Sequence, residues 1–147
     1  MPTRTARTAW NGTLEQGSGQ VELTSSGVGT YDVSFPKRAA DDAGGVTSPE
    51  ELIAAAHTAC YAMSLSSEIA RLGGTPQALD VQADVTLGAD PAEGGFKLTG
   101  ITLTVRGEVE GLDEAGFLAA AQTAKAGCPI SKALASVDIT LDAALES

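Results

Sequence analysis

The chain has 147 residues, 43% of them apolar and 19% charged, enough for a soluble domain with a real core. Nineteen acidic residues against nine basic ones leave a formal charge of −10. Such a surface repels phosphate backbones and anionic membrane faces, so no nucleic acid and no membrane is expected as a partner. No apolar run reaches the roughly 18 residues of a membrane span. The opening "MPTRTARTAW" also lacks the apolar stretch of a secretory leader. We expect a single cytoplasmic domain over residues 1–147. In that compartment a structural disulfide between its two cysteines is not expected, and any pairing of them belongs to chemistry.

In chain order, "RTARTAW", "GQVELTSS" and "GTYDVSF" alternate as strands between Gly-rich turns. "PKRAADDAGGVTSP" is too polar and Gly-rich for an element and reads as a loop. A helix then opens with Ser48 as N-cap, Pro49 at N1 and Glu51 at N3 completing a capping box. It runs to about Leu72, where "GG" at 73–74 ends it. From Leu52 to Met63 this helix is apolar on almost every face, the signature of an element buried all round.

Two clear strands follow. "LDVQADVTL" places Val81, Ala83, Val85 and Leu87 on one face, and "FKLTGITLTVRGEV" does the same with Ile101, Leu103 and Val105. Asp113 caps a helix through Ala126, Gly127 closes it, and "CPISKALA" starts another. "VDITLDAAL" is a last strand with Val137, Ile139 and Leu141 inward. The order βββ–α–ββ–α–α–β predicts an α+β fold with antiparallel sheets. It leaves no Rossmann-type site and no phosphate loop at a helix start, so no cofactor is expected. A sheet with one apolar face covers only one side of the 52–63 helix. A second copy of the chain, with two such helices packed between two sheets, supplies the remaining cover.

The two cysteines are the first candidates for chemistry. Cys128 lies between Gly127 and Pro129, as N-cap of the last helix. There free N–H groups and the positive end of the helix lower a thiol pKa. The plain alternative is a small apolar residue at a bend. Cys60 lies in the apolar helix, where desolvation raises its pKa and leaves it inert unless a cation stands close. Lys37 and Arg38 are the nearest cations in sequence, and Arg38 is preferred because arginine stays charged when buried. A buried arginine needs a carboxylate, which Glu50 or Glu51 can offer; for Glu51, capping is the sufficient reading.

His57, the only histidine, is three residues before Cys60 on one helical face. That spacing invites a Cys–His dyad for acyl transfer, but no Asp or Asn is placed to orient the imidazole. Two cysteines and one histidine without CxxC or HxxxH spacing make no metal site. A non-catalytic dimer that binds small apolar ligands between its buried helices also fits these residues.

"TSPEELIAAAHTACYAM" resembles the helix that carries the reactive cysteine of the OsmC family of peroxide-detoxifying proteins, in the wider OsmC/Ohr group. "AKAGCPIS" resembles the segment that carries its second cysteine. "AW.G" at the start, "LGGTPQALDVQADVTL" and "ITLDAALES" are similar to the OsmC branch, so the resemblance covers essentially the whole chain. It implies an intertwined homodimer, its sheets wrapped around two central helices, acting as a thiol-dependent hydroperoxide reductase in oxidative or osmotic stress defence. It further implies Cys60 as the peroxidatic thiol, Cys128 as the resolving thiol, and Arg38 with Glu50 as the pair that activates Cys60. The disulfide so formed would be reduced by an external dithiol, such as a lipoyl-bearing protein. Glu50 and Cys60 are ten residues apart, about 15 Å along a helix. If Glu50 and Arg38 serve a Cys60, helix geometry favours that of the partner chain.

Overall fold

The computed structural model describes residues 1–147 as two compact units, Met1–Leu52 and Ile53–Ser147. In the first, β1 (Arg7–Asn11), β2 (Ser18–Glu22) and β3 (Thr30–Val33) form an antiparallel sheet in the order β1-β2-β3. The three expected strands are present. The segment expected to be a loop is not wholly one: α1 spans Phe35–Arg38, a single turn. Ser34 caps it by accepting from the Lys37 N–H, and Pro36 sits in its first turn, where a missing donor costs nothing. Local capping chemistry outweighs the polar composition there.

Helix α2 spans Pro49–Arg71 and begins as expected, with the Glu51 N–H donating to Ser48 Oγ at 3.1 Å. The reciprocal arm of the box differs: the Glu51 carboxylate accepts from the hydroxyl of Thr47. The helix ends in a Schellman motif. Gly74 N–H donates to the Ile69 carbonyl and Gly73 N–H to that of Ala70, with Gly73 at φ 89°. Only glycine takes that backbone angle without strain.

In the second unit, β4 (Thr75–Ala89) and β5 (Phe96–Glu110) form a long antiparallel pair. Val81 faces Val105, Ala83 faces Leu103 and Val85 faces Ile101, so the apolar alternation fixes the register. Helices α3 (Glu114–Gly127) and α4 (Pro129–Ala133) then cross back, and β6 (Ile139–Leu145) completes the order β4-β5-β6. Here the all-antiparallel expectation needs correction, because β6 runs parallel to β5. The crossover of two helices returns the chain to the end of β5 where that strand began, and a strand entering there must run the same way.

The core of this unit joins Tyr61, Leu65 and Ile69 of α2 to Leu103 and Val105 of β5 and to Phe117, Ala120, Ala121 and Ala124 of α3. Each large apolar side chain buried here contributes about 1.5–3 kcal/mol. The ring of Phe117 lies against the α-carbon of Gly107, where a β-carbon would fall 2.8 Å from it. A single stripe of α2 is covered: His57, Tyr61, Leu65 and Ile69, spaced four apart. Ala55, Ala56, Ala59 and Met63 stay exposed, Met63 at 74%. No helix is long and apolar enough to cross a membrane.

Candidate active site

Cys60 and Cys128 are brought together, their sulfurs 3.0 Å apart and both free thiols. Helix α2 holds Cys60 beside the buried Tyr61, whose hydroxyl donates to the Ala121 carbonyl at 2.9 Å and ties α2 to α3. Cys128 is at once the C-cap of α3 and the N-cap of α4. Its own N–H closes α3 on the Ala124 carbonyl at 2.9 Å, and Pro129 starts α4. Gly127 is the last residue of α3 rather than a left-handed residue beyond it.

The burial of the two thiols reverses the expected arrangement. Cys128, at the helix mouth, is wholly buried and part of the core, while Cys60 is half-buried. The face that α2 turns inward is the His57–Tyr61–Leu65–Ile69 stripe, and Cys60 stands one residue, about 100°, off it.

Their ionisation differs as well. Burial alone would push the Cys128 thiol up. Its neighbours, Cys60 across from it on α2 and Ser131 and Ile130 at the start of α4, favour the charged form and take it below its ordinary value instead. Cys60 is pushed up, by burial first and then by its bond to Cys128; the N–H of Ile130 and the hydroxyl of Ser64 offset part of this. Of the two thiols, Cys128 is therefore the more easily ionised and Cys60 the less.

Arg38 and Glu50 also meet, in the first unit. Arg38 Nη2 lies 2.7 Å from Glu50 Oε1, and Nε is 3.1 Å from both carboxylate oxygens. Burial of Glu50 would raise its pKa, but the guanidinium holds it below the usual value, while the Arg38 pKa is raised in return. Beside them is a cavity of about 260 Å³, lined by Trp10, Leu14, Val21, Val33 and Phe35, in which Arg38 is the one charged residue. Lys37 makes no ion pair and packs near Gly44.

His57 does not pair with Cys60. It is wholly buried, and its Nε2 lies 2.8 Å from the hydroxyl of Ser131. Ser131 escaped the sequence reading, although its place three residues after an N-cap, where a side chain faces the cap, was a usable signal.

The OsmC-like protein family model matches residues 41–142, which include both thiols and Glu50. The chain is 41% identical to the peroxiredoxin OsmC of Escherichia coli (strain K12) over 138 residues, 94% of this chain and 93% of that one. It belongs to the OsmC family. Two solved structures place the OsmC fold in the same terms. An organic hydroperoxide resistance protein OsmC from Legionella pneumophila is similar at 28% identity and TM-score 0.75, over 98% of this chain and 99% of that one. The organic hydroperoxide resistance protein OhrB of Bacillus subtilis is similar at 29% identity and TM-score 0.74, over 95% and 97%.

Proposed function

We propose that this OsmC-family chain is a cysteine-based peroxidase that reduces organic hydroperoxides, and that it works in the cytoplasm as a homodimer. The observation that carries the chemistry is the pair of free sulfurs 3.0 Å apart in unequal surroundings. Two thiols that merely fill space need not share a hydrogen bond, and His57 bonds Ser131 and neither sulfur, so no Cys–His dyad is formed. The names of the similar proteins, a peroxiredoxin and hydroperoxide resistance proteins, support the same reading.

Cys60, the more accessible thiol, attacks one peroxide oxygen as its thiolate. The O–O bond breaks, the sulfur is oxidised to sulfenic acid, and the alkoxide leaves and takes a proton as the alcohol. Cys128 then attacks the Cys60 sulfur; the S–S bond forms and the hydroxyl leaves as water. An external dithiol, a lipoyl-bearing protein or one like it, reduces the disulfide by two exchanges. Burial holds the Cys60 proton in place, so the reaction needs a cation. Arg38, oriented by Glu50, is the candidate, supplied by the partner subunit across the exposed Ala55, Ala59 and Met63 face of α2. The apolar cavity beside Arg38 suits the carbon chain of a hydroperoxide.

The test is peroxide loss from a mixture of the purified protein, an organic hydroperoxide and a dithiol. Many turnovers per chain are expected. Loss no faster than with the dithiol alone overturns the reading.

A further inference from the structure

The peroxide cycle leaves His57 and Ser131 without a task, although both are buried and they bond each other at 2.8 Å. His57 Nδ1 is buried with no partner. An unpaired lone pair is tolerated inside a protein more readily than an unpaired N–H, so the proton belongs on Nε2 and Nδ1 is bare. His57 then donates to Ser131 Oγ, and the Ser131 O–H must point elsewhere. The Cys128 sulfur is its near neighbour, since Cys128 is the N-cap of α4 and Ser131 its third residue, and Ser131 favours the ionised form of that thiol. Burial lowers the His57 pKa, which keeps the imidazole neutral and this direction fixed. The chain of donors runs from α2, which carries Cys60, to α4, which Cys128 caps.

We propose that His57 and Ser131 are positioning residues for the resolving step: His57 orients the Ser131 hydroxyl toward the Cys128 sulfur, where it supports that sulfur as the nucleophile and keeps it aimed at Cys60. The proposal rests on the reading of Cys60 as peroxidatic and Cys128 as resolving thiol. In the step it serves, the Cys128 thiolate donates its electron pair to the sulfenic sulfur of Cys60, and the S–O bond breaks. The departing hydroxide takes a proton to become water. The other titratable groups around Cys128 are Cys60 and Tyr61, both from α2. Tyr61 is pushed far up by burial and by the Cys128 charge and stays neutral; Ala121 and Ala124 of α3 and Leu103 and Val105 of β5 bring no charge.

The experiment is a single turnover with one equivalent of an organic hydroperoxide, quenched at intervals and read by mass spectrometry for sulfenic acid, sulfinic acid and disulfide, over a pH series. Ser131→Ala should slow disulfide closure by about tenfold, as loss of one hydrogen bond to a charged group implies. Its pH midpoint should rise by about one unit, with more sulfinic acid at Cys60. His57→Gln, which keeps a donor near the Nε2 position, should close nearly as the wild type does, and His57→Leu should behave as Ser131→Ala. Wild-type rate and midpoint in Ser131→Ala, or equal slowing in His57→Gln and His57→Leu, overturns the proposal. If the wild type itself forms no Cys60–Cys128 bond, the peroxidase reading fails instead. Should Ser131→Ala not fold, the His57 pair decides alone.

Discussion

Arg38 holds the Glu50 carboxylate by two of its nitrogens, Nη2 at 2.7 Å and Nε at 3.1 Å, while Glu50 itself is only 7% exposed. This geometry uses the fork of arginine and is out of reach for lysine. A nearly buried carboxylate in such a grip serves to fix where a positive charge sits.

The pair has a pH signature. The folded-state pKa of Glu50 lies below its unfolded value. Its contribution is therefore complete above the ordinary carboxylate range and is lost as pH falls through the lower, folded value. With a third of the Arg38 side chain in water, Glu50→Gln should cost about 1 kcal/mol near pH 7. Urea unfolding of both proteins from pH 7 to pH 3 should show that difference constant above about pH 5 and shrinking below it. A difference that never changes with pH would show that ionisation of Glu50 contributes nothing.

The cysteines should fail differently. Cys60→Ser is expected to abolish peroxide turnover; Cys128→Ser should complete one oxidation and then accumulate sulfinic acid at Cys60. With both thiols present, one equivalent of peroxide should give a link within one chain, running as a monomer on a non-reducing gel, because the sulfurs already lie 3.0 Å apart in one chain. Full activity in Cys60→Ser, or a crosslinked dimer as main product, would overturn these roles.

The proposed sharing of each site between two subunits can be tested by mixing variants. Glu50→Ala and Cys60→Ser homodimers should each be nearly inactive. Their heterodimer pairs an intact Arg38–Glu50 from one subunit with an intact Cys60 from the other, and should recover up to one working site of two. Folded, verified heterodimers without activity would refute the arrangement.

One core position gives a stability test independent of function. Gly107→Ala puts a methyl group 2.8 Å from the Phe117 ring and 3.1 Å from Leu79. Overpacking of this kind costs about 1–3 kcal/mol, measurable as a lower urea midpoint at unchanged slope. An unchanged midpoint would mean that the ring can move aside freely.

Local signals in the sequence were strong where one residue's neighbours decide its fate. The caps of α2, the alternation of Val81 to Leu87 and the placement of Cys128 between two helices all rest on short-range chemistry, and each is present. What escaped depends on distant contacts. No local pattern says which way β6 runs, since its direction is set by the crossover before it. Nor does spacing reveal that Ser131 meets a histidine 74 positions away, or which face of α2 turns inward and leaves Cys60 at its margin. The one-turn helix at Arg38 was hidden because polar, Gly-rich surroundings outweigh a single cap in composition.

The parallel pairing of β6 with β5 also orders events in time. Residues 111–138 must be laid across the sheet before Ile139 can meet Ile101. Contacts so distant in sequence close slowly, because chain entropy is lost before they contribute anything. Cys128 rides on that crossover, at the joint of its two helices. A growing chain therefore displays Cys60 first, with no second thiol at hand, and the two sulfurs meet only once the crossover helices have packed against α2.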